Sequence, residues 1–238
     1  MLDFIKPENI LFLDIETVAQ FSDFSELPEA GQMLWDKKSK FIREEGQTGR
    51  DVYNKAGIYS EFGKIICISA GFIHNEDGQR KIRIKSFSGD DEKILLSEFI
   101  HMIKVFGEKK DFTLCAHNGK EFDFPYLSRR MLINGIIIPE ILDVAGKKPW
   151  EVKFLDTMEL WKFGDYKHYT SLELLSYIFG IQSPKDDIDG SMVSEVYYKG
   201  KDLPRIVRYC EKDVITIIQL LLKFKAEAII PENNIVIV

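Results

Sequence analysis

The chain has 238 residues, 45% apolar and 29% charged, with a net charge of −6. That length can bury a sizeable core, the balance is that of a globular chain, and no apolar run is long enough to span a bilayer. The acidic balance argues against broad coating of nucleic acid, yet it leaves room for a basic rim around an acidic centre filled by cations.

In chain order, residues 1–7 carry no signal-peptide core, so a cytoplasmic protein without a membrane partner is expected. Ile10, Leu11, Phe12 and Leu13 form an apolar strand that ends in Asp14 and Glu16. Side chains alternate along a strand, so both carboxylates face the same way. Like charges held that close repel unless a partner offsets them, and the usual partner is a divalent cation with oxygen ligands. A strand running out into a polar loop is the plainer alternative. Residues 19–62 read as a mostly helical insertion. Leu34, Phe41 and Ile42 suggest its apolar face, Lys37, Lys38, Lys40 and Arg43 its basic side, and Gly46, Gly49 and Gly57 break it up.

Residues 64–73 and 81–87 are strand-like, and Asn75, Asp77 and Gly78 between them are turn chemistry, which predicts an antiparallel hairpin. A helix opens at Asp90 and Asp91 and runs to about Val105. Residues 112–117 form a further strand, ending at Asn118 and Gly119. The next helix runs to about Gly135, and Pro125 is tolerable only in its first turn, which puts Asp123 at the N-terminal edge. Residues 154–157 make a brief strand. Helices follow over 171–179, 190–198 and from Leu203 to about Ala228. Cys67, Cys115 and Cys210 sit in apolar surroundings and outline neither a disulfide framework nor a zinc site. The pattern predicts one α/β domain over 1–238, a mixed sheet flanked by helices.

Two later acids join the first pair. Asp123 follows a strand end, and Tyr209 and Asp213 lie four apart on one helix face, beside the apolar Ile206, Val214 and Ile217. Singly, each has a plain reading: Asp123 as a helix N-cap, Tyr209 as a half-buried aromatic, Asp213 as a surface acid. Together, Asp14-x-Glu16, then Asn118 with Phe122 and Asp123, then Tyr209-x3-Asp213 resemble the three motifs of the DnaQ-like 3′–5′ exonucleases, tyrosine subclass. The chain looks like a stand-alone version of the proofreading domain of family-B DNA polymerases, whose second motif also runs Phe-Asp-x-Pro-Tyr-Leu. That motif is matched here by Phe122, Asp123, Pro125, Tyr126 and Leu127. The likeness covers about 9–225 and explains 19–62 least.

The resemblance implies a ribonuclease H-like fold and hydrolysis at the 3′ ends of single-stranded DNA, releasing nucleoside 5′-monophosphates. It implies two divalent cations, Mg²⁺ or Mn²⁺, held by Asp14, Glu16, Asp123 and Asp213, with Asp14 shared. In-line phosphodiester hydrolysis asks for the same parts, since both the attacking and the leaving oxygen need stabilising. Tyr209 is expected to orient the attacking water; with an ordinary pKa near 10 it is a poor base. Asn118 and Phe122 are implied contacts for the terminal nucleotides, and Thr17 is a further expected substrate contact. Arg205 and Arg208 are the best phosphate candidates because they share a helix with Tyr209; Lys37, Lys38, Lys40, Arg43, Arg129, Arg130, Lys147, Lys148, Lys199 and Lys201 are weaker ones.

Asp156 reads as a cap or a support for the site, and His117 as structural. His168, beside Tyr166 and Tyr169, lies too far from Asp213 to act as the histidine of the sister subclass. Three rivals are carried. A haloacid-dehalogenase-type phosphatase would use Asp14 as nucleophile, but needs a parallel sheet and leaves Asp123, Tyr209 and Asp213 idle. An RNA 3′–5′ exonuclease shares all three motifs. A silent nucleic-acid-binding module of the same fold would be expected to have lost ligands that are present here.

Overall fold

The computed structural model describes residues 2–109, 112–165, 169–181 and 188–238. Strand β1 (Ile10–Ala19) leads into a segment whose regular part is helix α1 (Glu29–Lys38) with 3-10 turns at Phe24–Glu26, Ser39–Ile42 and Tyr53–Ile58. Next come β2 (Gly63–Glu76), β3 (Gln79–Ser88), α2 (Glu92–Lys109), β4 (Thr113–Ala116) and α3 (Asp123–Ile133). The chain continues through β5 (Leu155–Asp156), α4 (Thr157–Lys162), α5 (Leu172–Ile178) and α6 (Val193–Glu195), which runs into a π-helical turn at Val196–Gly200. Helix α7 (Leu203–Phe224) and β6 (Ile235–Ile237) complete it. The strands form one sheet in the order β5-β4-β1-β2-β3-β6. β2 runs antiparallel to both β1 and β3, whereas β4 beside β1, β5 beside β4 and β6 beside β3 are parallel. This is the expected mixed α/β sheet flanked by helices, and it disagrees with the parallel sheet that the phosphatase reading requires.

The hairpin closes as its sequence predicts. Glu76 pairs with Gln79, and Asp77 and Gly78 between them take positive φ of 51° and 76°, the geometry of a tight turn matched to strand twist. β6 went unforeseen: three apolar residues after a long helix carry little local signal, and they become a strand only because β3 offers an edge.

Alternation along β1 divides the core. Leu11, Leu13 and Ile15 pack with Leu96, Phe99, Phe124 and Leu127 of α2 and α3. Ile10 and Phe12 point the other way, into Val214, Ile217, Ile218 and Leu221 of α7. Each fully buried side chain of this size contributes roughly 1.5–3 kcal/mol. Gly71 of β2 lets α7 lie this close, since a Cβ there would collide with the side chains of Ile84 and Val214. Asp14 and Glu16 follow Phe12 in the alternation, so they too face α7. Just beyond them the register skips Ile66, because Glu16 pairs with Cys67 but Thr17 with Ile65. Such a bulge bends the strand at the site's edge.

The 20–62 segment builds its own small core on Trp35, which is 0% exposed and meets the rings of Tyr53, Tyr59 and Phe62 edge-on. The indole N–H donates to the Gly49 carbonyl at 2.7 Å. The apolar face expected from Leu34 and Phe41 is therefore wrong: they are 58% and 94% exposed. The segment is not one amphipathic helix. α1 ends at Lys38, the Ser39 hydroxyl bonds back to the Trp35 carbonyl, and Arg43 is tied to Asp36 and Ser39. Among the described residues, no helix is long and apolar enough to cross a membrane.

Candidate active site

The two carboxylates of β1 meet α7 directly. Asp202 caps that helix by accepting from the Arg205 N–H at 3.1 Å, and Pro204 suits its first turn. The buried stripe Ile206, Cys210, Val214, Ile217 and Leu221 seats α7 on the sheet. Cys210 hooks onto β1, its thiol donating to the Asp14 backbone carbonyl at 3.4 Å. One residue round the helix, Tyr209 hydrogen-bonds to the Asp213 carboxylate.

Asp123 arrives from the other helical layer. It is the first residue of α3 and buried, with Phe122 rather than Asp123 in the N-cap position. Its carboxylate accepts from its own N–H and from that of Ile15, the residue between Asp14 and Glu16. The N-cap reading of Asp123 is thereby replaced by a carboxylate docked on β1.

The electrostatics tie these groups into one site. Asp14 is raised well above the usual carboxylate range, first by burial and then by the charges of Asp213, Glu16 and Asp123. Burial, Asp213, Cys67 and Asp123 do the same to Glu16. Asp123 is pushed up to about 7 by burial, with Asp156 and Asp213 adding to it and its two backbone hydrogen bonds acting against it. Burial and the neighbouring Asp213, Glu16 and Asp14 also hold the Tyr209 phenol far on the protonated side. Among the described residues, the charges that act most strongly on Asp14, Glu16 and Asp123 are those of other acids and of the Cys67 thiol.

This donor set fits hard divalent cations, which take carboxylate oxygens and would offset the mutual repulsion. Among the described residues, possible ligand atoms of Asp14, Glu16 and Cys210 lie within 4.8 Å of one another, and the charges of Asp123 and Asp213 reach Asp14 and Glu16. Cys210 is the residue that sequence reasoning missed, although helical spacing beside Tyr209 carried a signal for it.

The loop before α3 is held by Asp156. Its Oδ1 accepts from the N–H groups of Asn118 and Met158, each at 2.9 Å, and its Oδ2 from the Lys120 N–H at 3.0 Å. Asp156 thus both caps α4 and fixes Asn118, which adopts a left-handed φ of 61°. The Asn118 Oδ1 is buried and finds no hydrogen-bond partner among the described residues. Phe122 is half-buried against the Tyr126 ring, 5.3 Å between centroids. The Tyr126 hydroxyl donates to the Gly57 carbonyl and accepts from Thr17, so it ties the bulged end of β1 to α3.

His117 is structural, as expected: Nε2 donates to the Thr170 carbonyl and Nδ1 accepts from the Thr157 hydroxyl, each at 2.9 Å. Its burial lowers its pKa. Tyr166 and His168 lie outside the described residues. Arg208 is exposed and Arg205 half-buried. Lys147, Lys148, Lys199, Lys201 and Arg129 are exposed.

Arg130 corrects the sequence reading. It is 4% exposed and grips Glu92 with two nitrogens, Nε to Oε1 at 2.9 Å and Nη2 to Oε2 at 2.5 Å, so it cannot serve as a phosphate contact.

A family model described as "Predicted 3'-5' exonuclease related to the exonuclease domain of PolB" matches residues 58–229. Asp123, Tyr209 and Asp213 fall inside that stretch, and β1 lies before it. DNA polymerase 1 of Pyrococcus abyssi is 28% identical over 172 residues, which cover 64% of this chain and 21% of the polymerase. The DNA polymerase of Desulfurococcus sp. (strain Tok) is 26% identical over 180 residues, 68% of this chain and 22% of that one. The chain therefore spans about a fifth of the length of these curated relatives. The solved family B DNA polymerase from Pyrobaculum calidifontis superposes with a TM-score of 0.54 at 18% identity, covering 93% of this chain and 25% of that chain. That likeness shows the fold.

Proposed function

This chain belongs to the family of predicted 3′–5′ exonucleases related to the exonuclease domain of PolB, and from that membership we propose that it hydrolyses single-stranded DNA from the 3′ end, releasing nucleoside 5′-monophosphates. The observation that carries the reading is the convergence of Asp14 and Glu16 from β1, Asp123 from α3, and Tyr209 and Asp213 from α7, with the Asp213 charge helping to raise Asp14, Glu16 and Asp123. A buried cluster of like charges is costly unless it has a task. On this reading residues 1–238 work as one exonuclease domain with 19–62 inserted. It acts in the cytoplasm, in line with three free, buried cysteines.

Asp14, Glu16, Asp123 and Asp213 would hold two divalent cations, Mg²⁺ or Mn²⁺, through their carboxylate oxygens. Bound there, the cations supply positive charge to the scissile phosphate and acidify water. The chain's own groups do the rest. Tyr209 stays protonated because burial and three carboxylates oppose its ionisation, so its hydroxyl positions the attacking water and is not a base. Asp213 fixes that hydroxyl by accepting its proton in a hydrogen bond. The Oδ1 of Asn118, unpaired among the described residues, offers an acceptor to the terminal nucleotide, and Asp156 holds Asn118 in its left-handed conformation to present it. Phe122, braced by Tyr126, supplies a stacking surface, Thr17 a polar contact at the end of β1, and Arg205 and Arg208 counter-charge for the backbone.

The test is a degradation assay with the full chain on matched DNA and RNA oligonucleotides, single- and double-stranded, with either end blocked. Mononucleotides from unblocked 3′ ends of single-stranded DNA, with Mg²⁺ or Mn²⁺ present, are the expected result. Intact 3′-labelled oligonucleotides, or equal degradation by the Asp14→Ala variant, would overturn the reading. Faster loss of RNA than of DNA would move it to the RNA exonuclease.

A further inference from the structure

We propose that Asp14, Glu16 and Cys210 form a site for a soft divalent cation such as zinc or cadmium, distinct in its ligands from the all-carboxylate site for hard cations. Two independent observations support it. One is convergence: a carboxylate oxygen from each acid and the Cys210 Sγ all lie within 4.8 Å of one another. The other is Glu16 itself. It is only 8% exposed, yet among the described residues no hydrogen bond reaches its carboxylate, and its neighbours are acids and the Cys67 thiol. A carboxylate this little exposed, which no donor of the described residues reaches, is available to a cation.

The sulfur decides which ion. A thiolate does not compete for Mg²⁺, whereas Zn²⁺ and Cd²⁺ favour it over another carboxylate. Cys210 is fully buried on the sheet side of α7, where its thiol touches both the Asp14 backbone and Cys67, placed opposite Glu16 by the β1–β2 register. Binding of a soft cation forms the metal–sulfur bond and releases the thiol proton to solvent, with no change of oxidation state. An ion seated there occupies Asp14 and Glu16, two of the carboxylates proposed for the hard cations. On the exonuclease reading, which this consequence rests on, zinc then inhibits.

The experiment strips the full chain with a chelator and titrates it with cadmium. A near-ultraviolet sulfur-to-cadmium charge-transfer absorbance that saturates at a single equivalent, and that magnesium does not elicit, is expected. Cys210→Ser removes the absorbance and Cys67→Ser retains it. Glu16→Gln keeps every thiol and weakens cadmium affinity at least about tenfold, so the test holds even if Cys210→Ser does not fold. Absence of the absorbance in the unmodified chain, unchanged affinity in Glu16→Gln, or dependence on Cys67 in place of Cys210 would each overturn the site. With oligonucleotide substrate, the zinc concentration that halves the magnesium-supported rate rises at least about tenfold in Cys210→Ser. A chain that shows the cadmium absorbance but no hydrolysis with any cation loses the exonuclease reading and keeps this site. Equal zinc inhibition with and without Cys210 does the reverse.

Discussion

Two carboxylates of nearly equal burial show how differently this chain treats charge. Glu92, 7% exposed, receives two nitrogens of Arg130, the Asn134 amide at 2.8 Å and the Ile65 N–H at 2.7 Å. Arg130 in turn donates to the Ser60 carbonyl at 2.8 Å. Glu16, 8% exposed, sits on the opposite face of the sheet among Asp14, Asp123, Asp213 and the Cys67 thiol. The first carboxylate carries its counter-ion in the sequence and joins α2, α3 and the start of β2. The second finds no counter-ion among the described residues. Burial alone therefore does not separate a structural acid from a functional one; the identity of the nearest charges does.

The comparison can be broken most strongly at Asp14. Asp14→Ala should lower the hydrolysis rate at least about a thousandfold, roughly 4 kcal/mol of transition-state stabilisation, while urea unfolding of the cation-free chain shows no loss of stability. Arg130→Met should do the opposite. It strands Glu92 as a buried, uncompensated charge at a cost of about 3–5 kcal/mol, read as a lower urea midpoint with the per-molecule rate of the folded fraction retained. If Arg130→Met instead abolished cation binding and left stability alone, the two regions would have been assigned the wrong way round.

Tyr209→Phe tests a finer point, because it removes only the hydroxyl that Asp213 holds. Hydrolysis should slow about ten- to hundredfold with Mn²⁺ affinity unchanged by calorimetry; lost metal binding would contradict a water-orienting role. The smallest effect is on the cation-free chain's pH dependence. Asp123 titrates near 7 when folded, against about 4 in an unfolded chain. The folded state then holds its proton more tightly, so this stability is fully present below about 4 and is lost as pH rises through about 7. Melting temperature without cations should fall over that window, Mg²⁺ should restore it most at the alkaline end, and Glu16→Gln should add on the order of 1 kcal/mol at pH 8. A flat profile would mean that the site charges are already compensated.

Much of the site was legible because its parts are local. Alternation put Asp14 and Glu16 on one face of β1, helical spacing paired Tyr209 with Asp213, and Pro125 marked the helix start that presents Asp123. The hairpin was legible for the same reason, since Asp77 and Gly78 dictate a tight turn whatever surrounds them. Tertiary structure alone decided the rest. That Arg130 is bound to Glu92, that Trp35 and not Leu34 is buried in the insertion, and that residues 235–237 complete the sheet all depend on which distant surfaces meet. So does the placing of Cys67 and Cys210 against the carboxylates, which follows from the β1–β2 register and the seating of α7. Periodicity says which side of a strand or helix a residue occupies; only packing says what waits on that side.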